Sequence, residues 1–112
     1  MNEKKTLRQH RLLFICLGNI CRSPAAEGVM KTLASAAGRS ADFHIDSAGI
    51  GDWHVGQLPD IRMRKRGALR GYNFDSHARQ IRRSDFKDFD LLLVMDASNF
   101  TTVGGMATSP EE

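Results

Sequence analysis

Cysteine is scarce in this sequence: Cys16 and Cys21 are the only two in 112 residues. Two thiols are too few for the disulfide framework of a small secreted domain. The four histidines, His10, His44, His54 and His77, are too scattered to complete a structural zinc site, so neither a metal nor a cofactor is expected. Long apolar runs are missing as well. The longest, Leu12–Leu17 and Leu91–Met95, fall far short of the ~18 residues that a membrane span requires. The start, Met1-Asn2-Glu3-Lys4-Lys5, leads directly into a charged stretch without the apolar region and cleavage site of a signal peptide. The expectation is a cytoplasmic protein with no membrane partner.

The chain also lacks a strong charge imbalance, its formal net charge being +3. The basic residues do cluster, since Arg62, Arg64, Lys65, Arg66 and Arg70 fall in nine residues without an acid. No aromatic interleaves with them, which disfavours a single-strand stacking platform. A solvated helix face is the preferred reading, and no nucleic-acid partner is expected. With 41% hydrophobic and 26% charged residues the chain is not disordered as a whole, and its length suits one domain over residues 1–112. The tail, residues 107–112, is expected to be disordered.

Hydrophobic patterning predicts alternating strands and helices. The contiguous Leu12, Leu13, Phe14 and Ile15 mark a buried strand over Arg11–Cys16. Ser23-Pro24 opens a helix with Pro24 suited to the first helical position and Glu27 near the positive dipole end. Its apolar stripe is Ala26, Val29, Met30, Leu33 and Ala37, and Gly38 ends it. A second strand is predicted over Phe43–Ser47, then a glycine-rich loop to Leu58 that holds Trp53. Pro59-Asp60 opens a second helix reaching about Arg70, and a helical turn follows at Ser84–Lys87. Leu91–Met95 is the third strand, and Asp96–Asn99 caps a last helix that Gly104-Gly105 should disrupt within two turns. The fold class is α/β, with a parallel sheet and flanking helices. Ligands of such sheets bind beyond the carboxyl ends of the strands, where Cys16, Ala48 and Asp96 lie.

The chemistry concentrates in Cys16-Leu17-Gly18-Asn19-Ile20-Cys21-Arg22-Ser23, which joins the first strand to a helix N-terminus. Backbone N–H groups converging there, with the helix dipole behind them, make an anion site. Gly18 permits a tight turn, and Asn19 tolerates a left-handed backbone. Arg22 offers a planar fork for two phosphate oxygens. The same positive surroundings favour a thiolate at Cys16, to which Ser23 can donate a hydrogen bond. A Cys-x5-Arg spacing alone is weak evidence. Eight consecutive residues of suitable type, in a strand–loop–helix context, favour a nucleophile over a buried core cysteine. Thiolate attack on phosphorus would give a phosphocysteine that water then hydrolyses.

These residues, continued by Pro24-Ala25-Ala26-Glu27, resemble the low-molecular-weight protein tyrosine phosphatases. The likeness extends through Asp46-Ser47-Ala48-Gly49, Asp52-Trp53-His54-Val55-Gly56, His77-Ala78-Arg79-Gln80-Ile81 and Met95-Asp96-Ala97-Ser98-Asn99. The resemblance implies that Cys16 is the nucleophile and Arg22 the phosphate-binding arginine, within a loop formed by Leu17, Gly18, Asn19, Ile20, Cys21 and Ser23. It implies a supporting network of Asn19, Ser23, Ser47 and His77, a pocket mouth lined by Trp53, and a reversible Cys16–Cys21 disulfide. For Cys21, a small residue packed under the loop is an equal alternative. For Trp53 the alternative is a surface-loop anchor. Ile20 is similar to the aliphatic residue of phosphotyrosine enzymes, where phosphoarginine phosphatases carry threonine. Arsenate reductase activity needs further cysteines, and none follows Cys21.

The implied function is hydrolysis of phosphotyrosine-type monoesters, in a protein or a small aryl phosphate, releasing inorganic phosphate. The alternative is a phosphate- or phosphoprotein-binding module with little turnover. The family's Asp-Pro general acid has no counterpart, since no aspartate follows Asp96, and the last strand and helix of the family fold are also not found. The general acid is therefore unknown; Asp96 is read first as a helix cap. The expectation is either a fragment or a short form, with a steep dependence of rate on leaving-group pKa. An uncovered Leu91–Val94 edge suggests self-association.

Overall fold

The computed structural model describes residues 9–106, with the backbone alone for Ala97–Asn99 and Met106. The tail assigned to residues 107–112 lies outside the described residues. Three parallel strands form one sheet in the order β2-β1-β3: β1 is His10–Cys16, β2 is Phe43–Gly49 and β3 is Leu91–Val94. The helices are α1, Arg22–Ala36; α2, Ile61–Leu69; α3, Asp85–Asp88; and α4, Ala97–Met106. Among the described residues no helix is long and apolar enough to cross a membrane.

The apolar run of β1 explains its central place. Leu13 and Ile15 are fully buried on one face, in a core with Ala48, Ile81, Phe89 and Val103. Cys16 shares the opposite face with Leu12 and pairs in register with Gly49 of β2. The carboxyl ends of all three strands therefore reach one edge of the sheet, and the loop after β1 lies there.

Helix α1 begins one residue before Ser23, and Pro24 is its third residue rather than its first. Its buried positions are Ser23, Pro24, Glu27, Gly28 and Ala34, not the predicted apolar stripe, of which Leu33 is 55% exposed. The reason is chemical: the face against the sheet carries polar groups bonded to the loop and small residues that let Phe74 approach. Phe74 packs so closely on Gly28 and Gly67 that an added Cβ would lie 2.4 and 2.3 Å from its ring atoms. Helix α4 runs through Gly104-Gly105 instead of breaking there. Burial of Val103 in the core offsets the ~1 kcal/mol that a helical glycine costs.

Asp60 caps α2, accepting the N–H groups of Arg62 and Met63 at 2.9 and 3.4 Å. Its own N–H donates to the carbonyl of Ile20 at 2.8 Å, which fastens the start of α2 to the loop after β1.

Candidate active site

Strand β1 ends at Cys16, and the chain turns through Leu17–Cys21 into α1. Asn19 makes the turn possible by adopting φ +59°, the only non-glycine residue with positive φ among those described. A short polar side chain tolerates that backbone best, and here it is fully engaged. Asn19 Nδ2 donates to Ser23 Oγ at 2.8 Å and to Ser47 Oγ at 3.0 Å, while Oδ1 accepts the N–H of Arg79 at 2.9 Å. Asn19, Ser23 and Ser47 are each at most 2% exposed, so this network is shielded from water.

The sulfur of Cys16 lies at the centre of the turn. Its Sγ is 3.0 Å from Ser23 Oγ and accepts the N–H of Asn19 at 3.3 Å. Burial pushes the thiol pKa up, but the Ser23 hydroxyl and the N–H groups of Ser23, Asn19 and Cys21 together pull it below its ordinary value. Hydrogen bonds, rather than a neighbouring cation, hold the thiolate. Among the described residues no acceptor in the protein meets the N–H of Gly18 or Ile20. Those donors suit an anion above the sulfur.

The predicted site residues divide into three groups. Cys16, Gly18, Asn19, Ile20, Ser23 and Ser47 lie together around the turn, with Leu17 and Cys21 exposed on the loop surface. Arg22 lies at the loop exit, half exposed, with Nη1 donating to Asp96 Oδ2 at 3.2 Å. Trp53 is 58% exposed beside the loop; its Nε1 would lie 3.9 Å from a Cβ placed on Gly18. The segment carrying it is tied down where Ile50 N–H donates to the carbonyl of Cys16 at 3.0 Å and Gly51 N–H to that of Leu17 at 2.8 Å. Cys16 and Cys21 are both free thiols.

His77 is a correction. It is exposed, and among the described residues no hydrogen bond joins it to the network. Two residues do the work expected of it. Glu27, 3% exposed, accepts the hydroxyl of Ser47 through Oε1 and the Lys31 ammonium through Oε2 at 2.6 Å. It belongs to the second turn of α1 rather than to its dipole end. Arg79 reaches Asn19 through its backbone. The signal for Glu27 was present in the sequence, as it follows Ser23 by four positions and so shares its helix face. The contacts of Arg79 span sixty residues and leave no local trace. Among the described residues, no group of three or more His, Cys, Asp or Glu is placed to hold a metal ion.

Residues 11–111 match the family model described as low molecular weight phosphotyrosine protein phosphatase. A putative low molecular weight protein-tyrosine-phosphatase of Synechocystis is 48% identical over 93 residues, which are 83% of this chain and 59% of that protein. The crystal structure of a protein tyrosine phosphatase from Entamoeba histolytica superposes with a TM-score of 0.88 at 45% identity, covering 92% of this chain and 66% of that one. A Drosophila arginine phosphatase structure matches at a TM-score of 0.84 and 36% identity, covering 89% of this chain and 64% of that one. The chain thus spans less than two thirds of the length of these relatives. It belongs to the low molecular weight phosphotyrosine protein phosphatase family.

Proposed function

We propose that this chain hydrolyses phosphotyrosine-type monoesters through a phosphocysteine on Cys16. The observation that carries the reading is the hydrogen-bonded sulfur of Cys16, with the unmet N–H groups of Gly18 and Ile20 in the same turn. A phosphate dianion bound over the loop presents its phosphorus to the thiolate. The Cys16 Sγ–P bond forms as the P–O bond to the leaving phenolate breaks, and the phenolate takes up a proton. Water then attacks the phosphocysteine, releasing inorganic phosphate and returning the thiolate. Arg22, at the loop exit, swings from Asp96 to the phosphate oxygens, an exchange that a half-exposed ion pair resists by at most about 1 kcal/mol.

The substrate class follows from the rim. Trp53 offers an aromatic face, and the aliphatic Ile20 gives no hydroxyl to a guanidinium group. Both favour a phenyl ring over a phosphoarginine, the substrate type named by one structural neighbour. A phosphotyrosine-containing protein or small aryl phosphate is the partner, and β3 leaves its outer edge open among the described residues for pairing with a second copy. Sedimentation that stays monomeric over a wide concentration range removes the self-pairing.

The decisive experiment is rapid quenching of the chain with p-nitrophenyl phosphate, followed by mass spectrometry of the Cys16 peptide. A phosphoryl adduct that Cys16→Ser abolishes together with phosphate release is the expected result. Turnover persisting in Cys16→Ser would overturn the mechanism. Phosphate binding with neither adduct nor turnover would identify a binding module instead.

A further inference from the structure

The segment His77–Ile81 runs beside the end of β2, far from Cys16 in sequence. It is built into the site from both sides. Arg79 carbonyl oxygen accepts the N–H of Gly49 at 2.7 Å, and Ile81 N–H donates to Gly49 carbonyl at 2.8 Å. Ala78 ties the same segment to the Trp53 loop, exchanging bonds with Gly56 and Gln57, each 2.7 Å. Between these anchors the N–H of Arg79 donates to Asn19 Oδ1.

The Arg79 side chain runs into a charged clamp. Nη1 and Nη2 each donate to Asp85 at 3.1 Å, a two-point fork, and Nε donates to Asp46 Oδ2 at 3.1 Å. Asp85 is fully buried and also accepts the N–H of Arg82 at 2.7 Å. An interior carboxylate with three such donors has little freedom, and the planar guanidinium inherits its position. The clamp therefore fixes both ends of one residue: the side chain on Asp46 and Asp85, the backbone on Gly49 and Asn19.

We propose that Arg79 is a positioning residue for Cys16: the clamp holds the Arg79 N–H against Asn19 Oδ1, which orients the Asn19 amide and keeps the sulfur-binding turn closed. Orientation of that amide matters because its Nδ2 must face two hydroxyls. With Nδ2 donating to Ser23 Oγ, the Ser23 proton is available to Sγ at 3.0 Å, nearer than its other acceptor, the Ala48 carbonyl at 3.5 Å. The left-handed backbone of Asn19 likewise aims its own N–H at the sulfur. Release of Arg79 thus loosens two of the donors that hold the thiolate. The charged and titratable groups about that sulfur include the Cys21 thiol in the same turn, Arg22 and Glu27 on α1, His54 on the loop after β2, Asp96 after β3, and Arg79 itself. None of them bonds to Sγ directly, so a change at Arg79 reaches the thiol through Asn19.

This inference rests on Cys16 as the reactive thiol, but its test reads the thiol and not turnover. The pH dependence of iodoacetamide alkylation is followed on the Cys16 peptide by mass spectrometry in the parent chain, Arg79→Met, Arg79→Lys and Asp46→Asn. Arg79→Met is expected to raise the midpoint by about one pH unit, the worth of one lost hydrogen bond to a thiolate. Arg79→Lys keeps a charge beside Asp85 without the fork, and a smaller rise is expected. Asp46→Asn removes the carboxylate charge and leaves one amide oxygen for two donors, Arg79 Nε and the N–H of Ser47, while sparing the fork, and also gives a partial rise. Melting curves taken in parallel separate stability from positioning. Folded variants that melt lower but keep the parent midpoint overturn the proposal. If Arg79→Met leaves Asp85 uncompensated and does not fold, an unchanged midpoint in Asp46→Asn overturns it equally. A parent chain whose Cys16 midpoint is low and rises in the variants, but which shows no phosphatase activity, would count against the function proposed above and leave this inference standing.

Discussion

Gly49 and Asn19 approach so closely that no side chain fits between them. A Cβ on Gly49 would lie 3.0 Å from Asn19 Cβ and N and 2.9 Å from the carbonyl carbon of Gly18. Two of these are backbone atoms of the turn and the third is fixed directly to it, so none can yield as a flexible side-chain tip would. Gly49→Ala should therefore push the turn outward, with an overpacking cost of about 1–3 kcal/mol in stability. Activity toward aryl phosphates should fall by more than the melting temperature suggests, because the displaced atoms are those that hold Cys16. An alanine variant with parental turnover would show that the turn has slack that this geometry denies.

Phe74 offers a test of how α1 and α2 are joined. Its ring fills the space over Gly28 on one helix and Gly67 on the other, and Tyr72 stacks on it at 6.0 Å. Gly28→Ala and Gly67→Ala should each destabilise the fold by about 1–3 kcal/mol, despite the better helix propensity of alanine. Shortening Phe74 to leucine should rescue part of either loss in a double-mutant cycle followed by urea melts. Simple addition of the two effects would mean that the ring and the glycines do not meet in solution.

The pH behaviour of Cys16 gives a signed prediction. Its folded pKa lies below the ordinary value of 9.0, so over the interval between the two the unfolded chain binds more protons than the folded one. Stability from this group is fully present above pH 9.0 and is lost as pH falls through the folded pKa. Urea melts of parent and Cys16→Ser should therefore diverge as pH rises through that interval, with the parent gaining. Ser23→Ala removes one hydrogen bond to the sulfur and should lift the thiol midpoint by about one unit. Its rate deficit should then be about tenfold at pH below the folded pKa and shrink as pH rises above it. A deficit of constant size at every pH would exclude this account of Ser23.

What the sequence made legible was what the chain does locally. The run Leu12–Ile15, the turn at Gly18-Asn19 and the return of Ser23 toward Cys16 are encoded within a dozen residues, and each took its expected place. The last turn of α4 and the buried face of α1 were misjudged for one reason: tertiary contacts overrode local preference. Val103 carries α4 through two glycines, and Glu27 takes a core position because Ser47 and Lys31 satisfy its carboxylate. Arg79 was invisible for a different reason. Its partners Asn19, Asp46 and Asp85 come from three separate elements, and only the folded sheet edge brings them together.

Trp53 bears on which phosphate esters are taken. Its ring stands over Gly51, where an added Cβ would come within 1.9 Å of Cζ3, and it stays more than half exposed at the edge of the turn. An exposed indole so firmly seated is a ready stacking surface for a phenyl ring. Such contacts are worth about 0.5–1.5 kcal/mol, or roughly a two- to twelvefold change in binding. Trp53→Ala should raise KM for aryl phosphates by about that factor and leave an alkyl phosphate unchanged. The loop that carries Trp53 is held by backbone bonds from Ile50 and Gly51, so its shape should survive the substitution. Equal losses on aryl and alkyl esters would assign Trp53 to the support of the turn and remove it from substrate recognition.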